Sequence, residues 1–153
     1  MATTLTQVHP LLTLSIDPNA DFTVLADYCE RFAEAQAEFN FPGLRSAFCE
    51  RLTACLACLR ATQNDPIPPH LESLFITNAH PLVSPRFEPD TEQLCGYCMA
   101  LSQTLIEQEL PADVEQTLSD LLFGLVSYLT AELKAPRWVR TLSGIVPVKG
   151  DSL

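Results

Sequence analysis

The chain has 153 residues, 47% of them hydrophobic, and a formal net charge of −10. That is enough apolar material for one domain to fold without disulfides or a metal; no run of about 18 apolar residues could span a membrane, and Met-Ala-Thr-Thr-Leu-Thr lacks the basic and apolar parts of a secretory signal. The charge is uneven: the last 20 residues hold four basic residues against one acidic, a net +3, and the rest holds five basic against 18 acidic, a net −13. So negative a body argues against direct nucleic-acid binding, whose affinity comes from neutralising phosphates, and for solubility or an acidic face toward a basic protein partner.

Residues 1–16 are mildly apolar and uncharged, and read as an N-terminal arm or a short helix. Asp17-Pro18 reads as a helix start, an N-cap acceptor followed by a first-turn proline. Behind it Phe22, Leu25, Cys29 and Phe32 recur at three- and four-residue steps and predict a helix to about residue 39, interrupted at Gln36 and resumed at Phe39. Its other face carries Asp27, Glu30, Glu34 and Glu38, with Arg31 four residues after Asp27 and able to pair with it.

Asn40-Phe41-Pro42-Gly43 breaks the chain, and a second helix is predicted over about 43–62, with Leu44, Phe48, Leu52, Cys55 and Leu59 on its buried stripe. Asn64 to Pro69 ends it, a short helix is expected near Leu71, Leu74 and Phe75, and Asn78 to Pro89 reads as an irregular connection. Asp90 or Thr91 caps a third helix with the stripe Leu94, Cys98, Leu101 and Leu105. Pro111 suits the start of a fourth, with Val114, Leu118, Leu121, Leu122, Leu125, Leu129 and Leu133. This is the most apolar element and is expected at the centre. Gly124 within it suggests close approach of another helix. Pro136 ends or kinks it, and a short amphipathic segment with Trp138, Val139 and Leu142 precedes a tail.

These elements predict an all-α fold, an irregular antiparallel bundle of four longer helices plus one or two short ones. The expected organisation is an arm over 1–16, a single helical domain over 17–143 and a flexible tail over 144–153.

Two Cys-x-x-Cys pairs, Cys55/Cys58 and Cys95/Cys98, have the spacing of zinc ligands and are the metal-site candidates. Their setting is helical and apolar, where free cysteine packs as a small hydrophobe, so structural thiols are the expectation. With no export signal, six reduced cysteines point to the cytoplasm. The peptide Cys95-Gly-Tyr-Cys98-Met-Ala resembles the active-site peptide of the AhpD-like and carboxymuconolactone decarboxylase-like helical proteins, some of which are peroxidase partners. In that family a histidine follows the pair after three residues and relays a proton; Ser102 stands there here, so the activity is not carried over.

His9, His70 and His80 each adjoin a proline and are expected in solvated loops. No glycine-rich phosphate cradle, nucleophile elbow or metalloprotease helix occurs, no cofactor is implied, and Glu30, Glu34 and Glu38 lack the Glu-x-x-His partners of a di-iron bundle. Lys134, Arg137, Trp138 and Arg140 combine cations with an aromatic, as a partner surface would, or fold back with Trp138 in the core. The reading that follows is a non-enzymatic helical interaction protein, an adaptor, chaperone or inhibitor, able to form a homodimer. Its partner-binding candidates are Asp27, Glu30, Glu34, Glu38, Arg137, Trp138 and Arg140. The alternative is a thiol-based redox or metal sensor using Cys95 and Cys98, with or without Cys55 and Cys58.

Overall fold

A computed structural model describes residues 9–80 and 85–148. The first half of the expected arm, residues 1–8, and the end of the expected tail, from residue 149, lie outside the described residues. Four α-helices are present, Phe22–Glu38 (α1), Pro42–Thr62 (α2), Thr91–Glu107 (α3) and Ala112–Lys134 (α4), with two 3-10 segments, Pro10–Thr13 and Pro69–Phe75. Two short strands follow, Trp138–Thr141 (β1) and Gly144–Pro147 (β2). The chain is predominantly α-helical, as its periodicity predicts. The expected domain over 17–143 spans the division between two compact units, Met1–Pro81 and Leu82–Leu153.

In the first unit α1 and α2 form an antiparallel hairpin through a three-residue connection, with Leu25 near the start of α1 opposite Cys55 far along α2. The start of α1 differs from expectation. Asp17 accepts a hydrogen bond from the Asn19 backbone N–H at 2.9 Å and closes a turn, and the helix begins four residues later under Asp21. Asp21 accepts from the backbone N–H groups of Thr23 and Val24 and from the Thr23 hydroxyl. The Thr23 hydroxyl, then the two backbone donors, hold its carboxyl below the ordinary range, with the charge of His70 adding to them against some burial. A second acidic residue with free helix donors ahead of it won over the Asp-Pro signal, because Pro18 suits a turn as well as a first helical turn.

Leu25, Cys29, Phe32 and Ala35 of α1 meet Phe48 and Cys55 of α2 in one core. Leu11, Leu12 and Ile16, on and behind the first 3-10 segment, close it from one side. His9, expected in solvent, instead sets its ring edge-on to Phe39 and Phe48, with centroids 5.2 and 5.1 Å away. Phe39 and Phe48 stack on each other at 5.7 Å.

The second unit is built differently. α3 starts with a full capping box, in which Asp90 accepts from the Gln93 backbone N–H and the Gln93 side chain accepts from the Asp90 N–H. α3 and α4 pack together, yet among the described residues of this unit only Leu94 and Cys98 are buried. α4, expected at the centre, has no buried residue. Leu118, Leu122, Leu125 and Leu129 are half-covered, whereas Val114, Leu121 and Leu133 are exposed. A Cβ added at Gly124 would meet nothing within 4 Å, so among the described residues no other helix makes the expected close approach. The expected amphipathic segment and the start of the expected tail form a β-hairpin, antiparallel with Trp138 opposite Pro147 and Thr141 opposite Gly144. Gly144 has φ +122°, a conformation that closes the turn and strains any other residue.

The two units predict opposite responses to aromatic truncation. Phe48→Ala, at a fully buried site, is expected to cost about 3–5 kcal/mol in chemical denaturation. Phe123→Ala, at a site 76% exposed, is expected to change stability by less than about 0.5 kcal/mol.

Candidate functional site

α3 supplies Tyr97, Ala100 and Leu101, and α4 supplies Leu121 and Leu125, to an apolar groove of about 520 Å³ between the two helices. Phe87, from the segment leading into α3, forms one wall and stacks on Tyr97 with centroids 6.3 Å apart. The groove exists because α4 carries more apolar residues than α3 covers. Leu118, Leu122, Leu125 and Leu129 occupy the stripe against α3, and Val114, Leu121 and Tyr128 form a second stripe on its flank. Those three recur every seven residues, a spacing that drifts only about 20° per step around a helix. They are 39%, 48% and 45% exposed.

The β-hairpin adds a second exposed surface. All eight strand residues are exposed, Trp138 at 64%, so the fold-back of Trp138 into a core does not occur. Arg137 and Arg140 are also exposed, and the single ion pair among the described residues is Arg86 with Glu88 at 3.6 Å. Among the described residues the cations of this segment therefore pair with no acidic side chain. A two-stranded hairpin of four-residue strands is marginal in water without a covering layer.

The acidic row of α1 lies where the periodicity puts it. Asp27, Glu30, Glu34 and Glu38 are all exposed, and the expected pairing of Asp27 with Arg31 is not made. The row faces solvent because the opposite stripe, Leu25, Cys29 and Phe32, is the one that buries area against α2.

The two cysteine pairs fall in different units, Cys55 and Cys58 on α2 and Cys95 and Cys98 on α3. Cys55 is fully buried and its thiol donates to the Leu25 carbonyl at 3.3 Å. Burial pushes that thiol up to about 12, reinforced by hydrogen bonding with Cys29 and by the charges that Cys29 and Cys58 would carry, against the opposing charge of Arg51. A group so protonated is a poor nucleophile and a poor metal ligand at neutral pH. On α3, Cys98 is buried and Cys95 exposed, so the two thiols differ in access to solvent. Ser102, in the position of the histidine of the AhpD-like peptide, donates its hydroxyl to the Cys98 carbonyl at 2.8 Å and is held by the helix. Among the described residues no three potential ligands of His, Cys, Asp and Glu type gather in one place.

Two features escape the sequence. Arg51 stacks its guanidinium over Phe32 at 5.6 Å, with Nε and Nη2 buried and without hydrogen-bond partners among the described residues; nothing in the spacing distinguishes it from Arg45 or Arg60. The groove is the other. Its only trace in the sequence is the adjacent pair Leu121-Leu122, which makes the apolar face of α4 too wide for one neighbour.

Thiol reactivity separates these environments. In the native chain Cys49 and Cys95 are exposed and are expected to alkylate within minutes near about pH 8, whereas Cys29, Cys55 and Cys98 are expected to alkylate only after denaturation. The Cys55 pKa lies above its ordinary value of 9.0, at about 12, so folding favours the neutral thiol. That contribution is present below pH 9 and is lost as the pH rises toward 12. Cys55→Ala is therefore expected to flatten the alkaline fall in stability, read from denaturation midpoints. No protein-family model matches the chain, and no curated protein or solved structure matches it.

Proposed function

We propose that the chain is a non-enzymatic helical interaction protein, an adaptor, chaperone or inhibitor, that holds a protein partner in the α3–α4 groove. The observation that carries this reading is the exposed apolar flank of α4, Val114, Leu121 and Tyr128, beside a groove floored by Leu101 and Leu125. Contiguous apolar surface of this kind is costly to leave in water and marks an interaction site. A groove between two antiparallel helices accepts a third helix, laid in by residues at three- and four-residue spacing.

The expected occupant is an amphipathic helix that lays its apolar stripe in the groove and brings cations to the acidic end of the α3–α4 hairpin. Residues 91–134, which make up α3, α4 and their connection, contain seven acidic residues and one basic, so the rim attracts cations. Arg137, Trp138 and Arg140 on the hairpin extend the surface with the residue types that dominate binding energies. In this reading Asp27, Glu30, Glu34 and Glu38 are a hydrated face that supports attraction of a basic partner at long range. The proposal puts the chain in the cytoplasm, on the strength of its six free cysteines. Among the described residues no helix is long and apolar enough to cross a membrane.

A photoreactive side chain at position 97, in the groove wall, tests the reading in cells. It is expected to give a discrete protein adduct that Leu121→Glu abolishes, while the same probe at Asp27 gives none. No adduct from position 97, or one that survives Leu121→Glu, would overturn the proposal.

A further inference from the structure

Resting on that reading, we infer that the helix which fills the groove is α4 of a second copy of this chain, in an antiparallel, two-fold symmetric pair. The distribution of charge along the α3–α4 hairpin carries the inference. At its closed end, where α3 turns into α4, stand Glu107, Glu109, Asp113 and Glu115, all exposed. At the far end of α4, about 34 Å away at 1.5 Å per residue, Lys134, Arg137 and Arg140 outnumber Glu132, and all four are exposed. None of these eight side chains makes an ion pair among the described residues.

Each chain thus displays an acidic end and a basic end that it cannot join within itself. Two copies lying antiparallel along α4 join both at once, since a two-fold axis brings the cations of each copy to the carboxylates of the other. A parallel pair would set four carboxylates against four.

A second, independent observation lies at the centre of the same face. α4 runs Ala112–Lys134, so its midpoint is Phe123, and the next residue is Gly124. Gly124 is three residues after Leu121 and four before Tyr128, and so shares their face. Glycine in a helix interior costs about 1 kcal/mol relative to alanine. Within one chain nothing approaches it, since a Cβ there would stand in open space. In the antiparallel pair this glycine sits at the crossing point, where the missing side chain lets the two α4 backbones come close. Leu121 and Tyr128 of each copy then pack on either side of the crossing, and two α3–α4 hairpins complete a four-helix bundle.

Sedimentation velocity on the full chain is the test. The expected result is a dimer that weakens as salt rises. Leu121→Glu and Gly124→Gln each alter a side chain that is exposed or absent in one copy, so each is expected to keep its far-ultraviolet circular dichroism and to weaken the dimer at least about tenfold. Arg137→Glu with Arg140→Glu, or Glu109→Arg with Asp113→Arg, is expected to weaken it by about tenfold. All four changes in one chain are expected to restore it to within about threefold, because the swapped ends match again.

A chain that stays monomeric at about 100 μM, well above the dissociation constants of specific complexes, overturns the inference. So does a dimer indifferent to Leu121→Glu and to both charge swaps. If that monomer still gives the position-97 adduct with another protein, the docking reading stands and only self-pairing fails. A monomer without the adduct removes both.

Discussion

Among the described residues helix α4 packs chiefly against α3, and one neighbour covers one stripe. Leu118, Leu122, Leu125 and Leu129 use that stripe against α3 and are half-covered by it. Val114, Leu121 and Tyr128 fall beside it and remain in water. Burial of apolar area is what offsets the conformational entropy lost on folding, and among the described residues of the second unit only Leu94 and Cys98 are buried. The groove, the uncovered hairpin and the proposed pairing all follow from this mismatch between the width of an apolar face and the surface available to cover it.

The first unit shows the same physics satisfied. α1 offers one apolar stripe and α2 covers it, with Phe32, Phe48, Leu25 and Cys55 all but removed from solvent. The 3-10 segment and His9 close the remaining side with aromatic edge contacts. Cysteine serves here as a small apolar filler, and the elevated Cys55 thiol is the electrostatic consequence of that burial. Arg51, stacked on Phe32 with buried donors, shows that the seam tolerates a cation when an aromatic face is there to receive it. The negative face of α1 then has no structural task beyond solvation.

Polar signals and apolar signals had different fates between sequence and structure. The α3 start was legible because Asp90 and Gln93 cap it through bonds local in the chain. The α1 start was displaced to Asp21 because Asp17-Pro18 satisfies a turn equally well, and only the path of the chain chooses between the two. Likewise the residues of the hairpin, Trp138, Val139 and Leu142, were visible as apolar, while their pairing depended on the turn that Gly144 allows at positive φ.

By itself the sequence determined the four long helices, their apolar stripes and the exposed carboxylate row, because each depends on contacts within a few residues or on which side of a helix is apolar. It also set both Cys-x-x-Cys pairs inside apolar helices, where free cysteine packs as a small hydrophobe. Tertiary structure alone decided whether an apolar stripe finds a neighbour. Periodicity records that a helix has a face to bury and says nothing of how much surface is near enough to bury it, so α4 reads as the centre of a bundle and yet holds no buried residue.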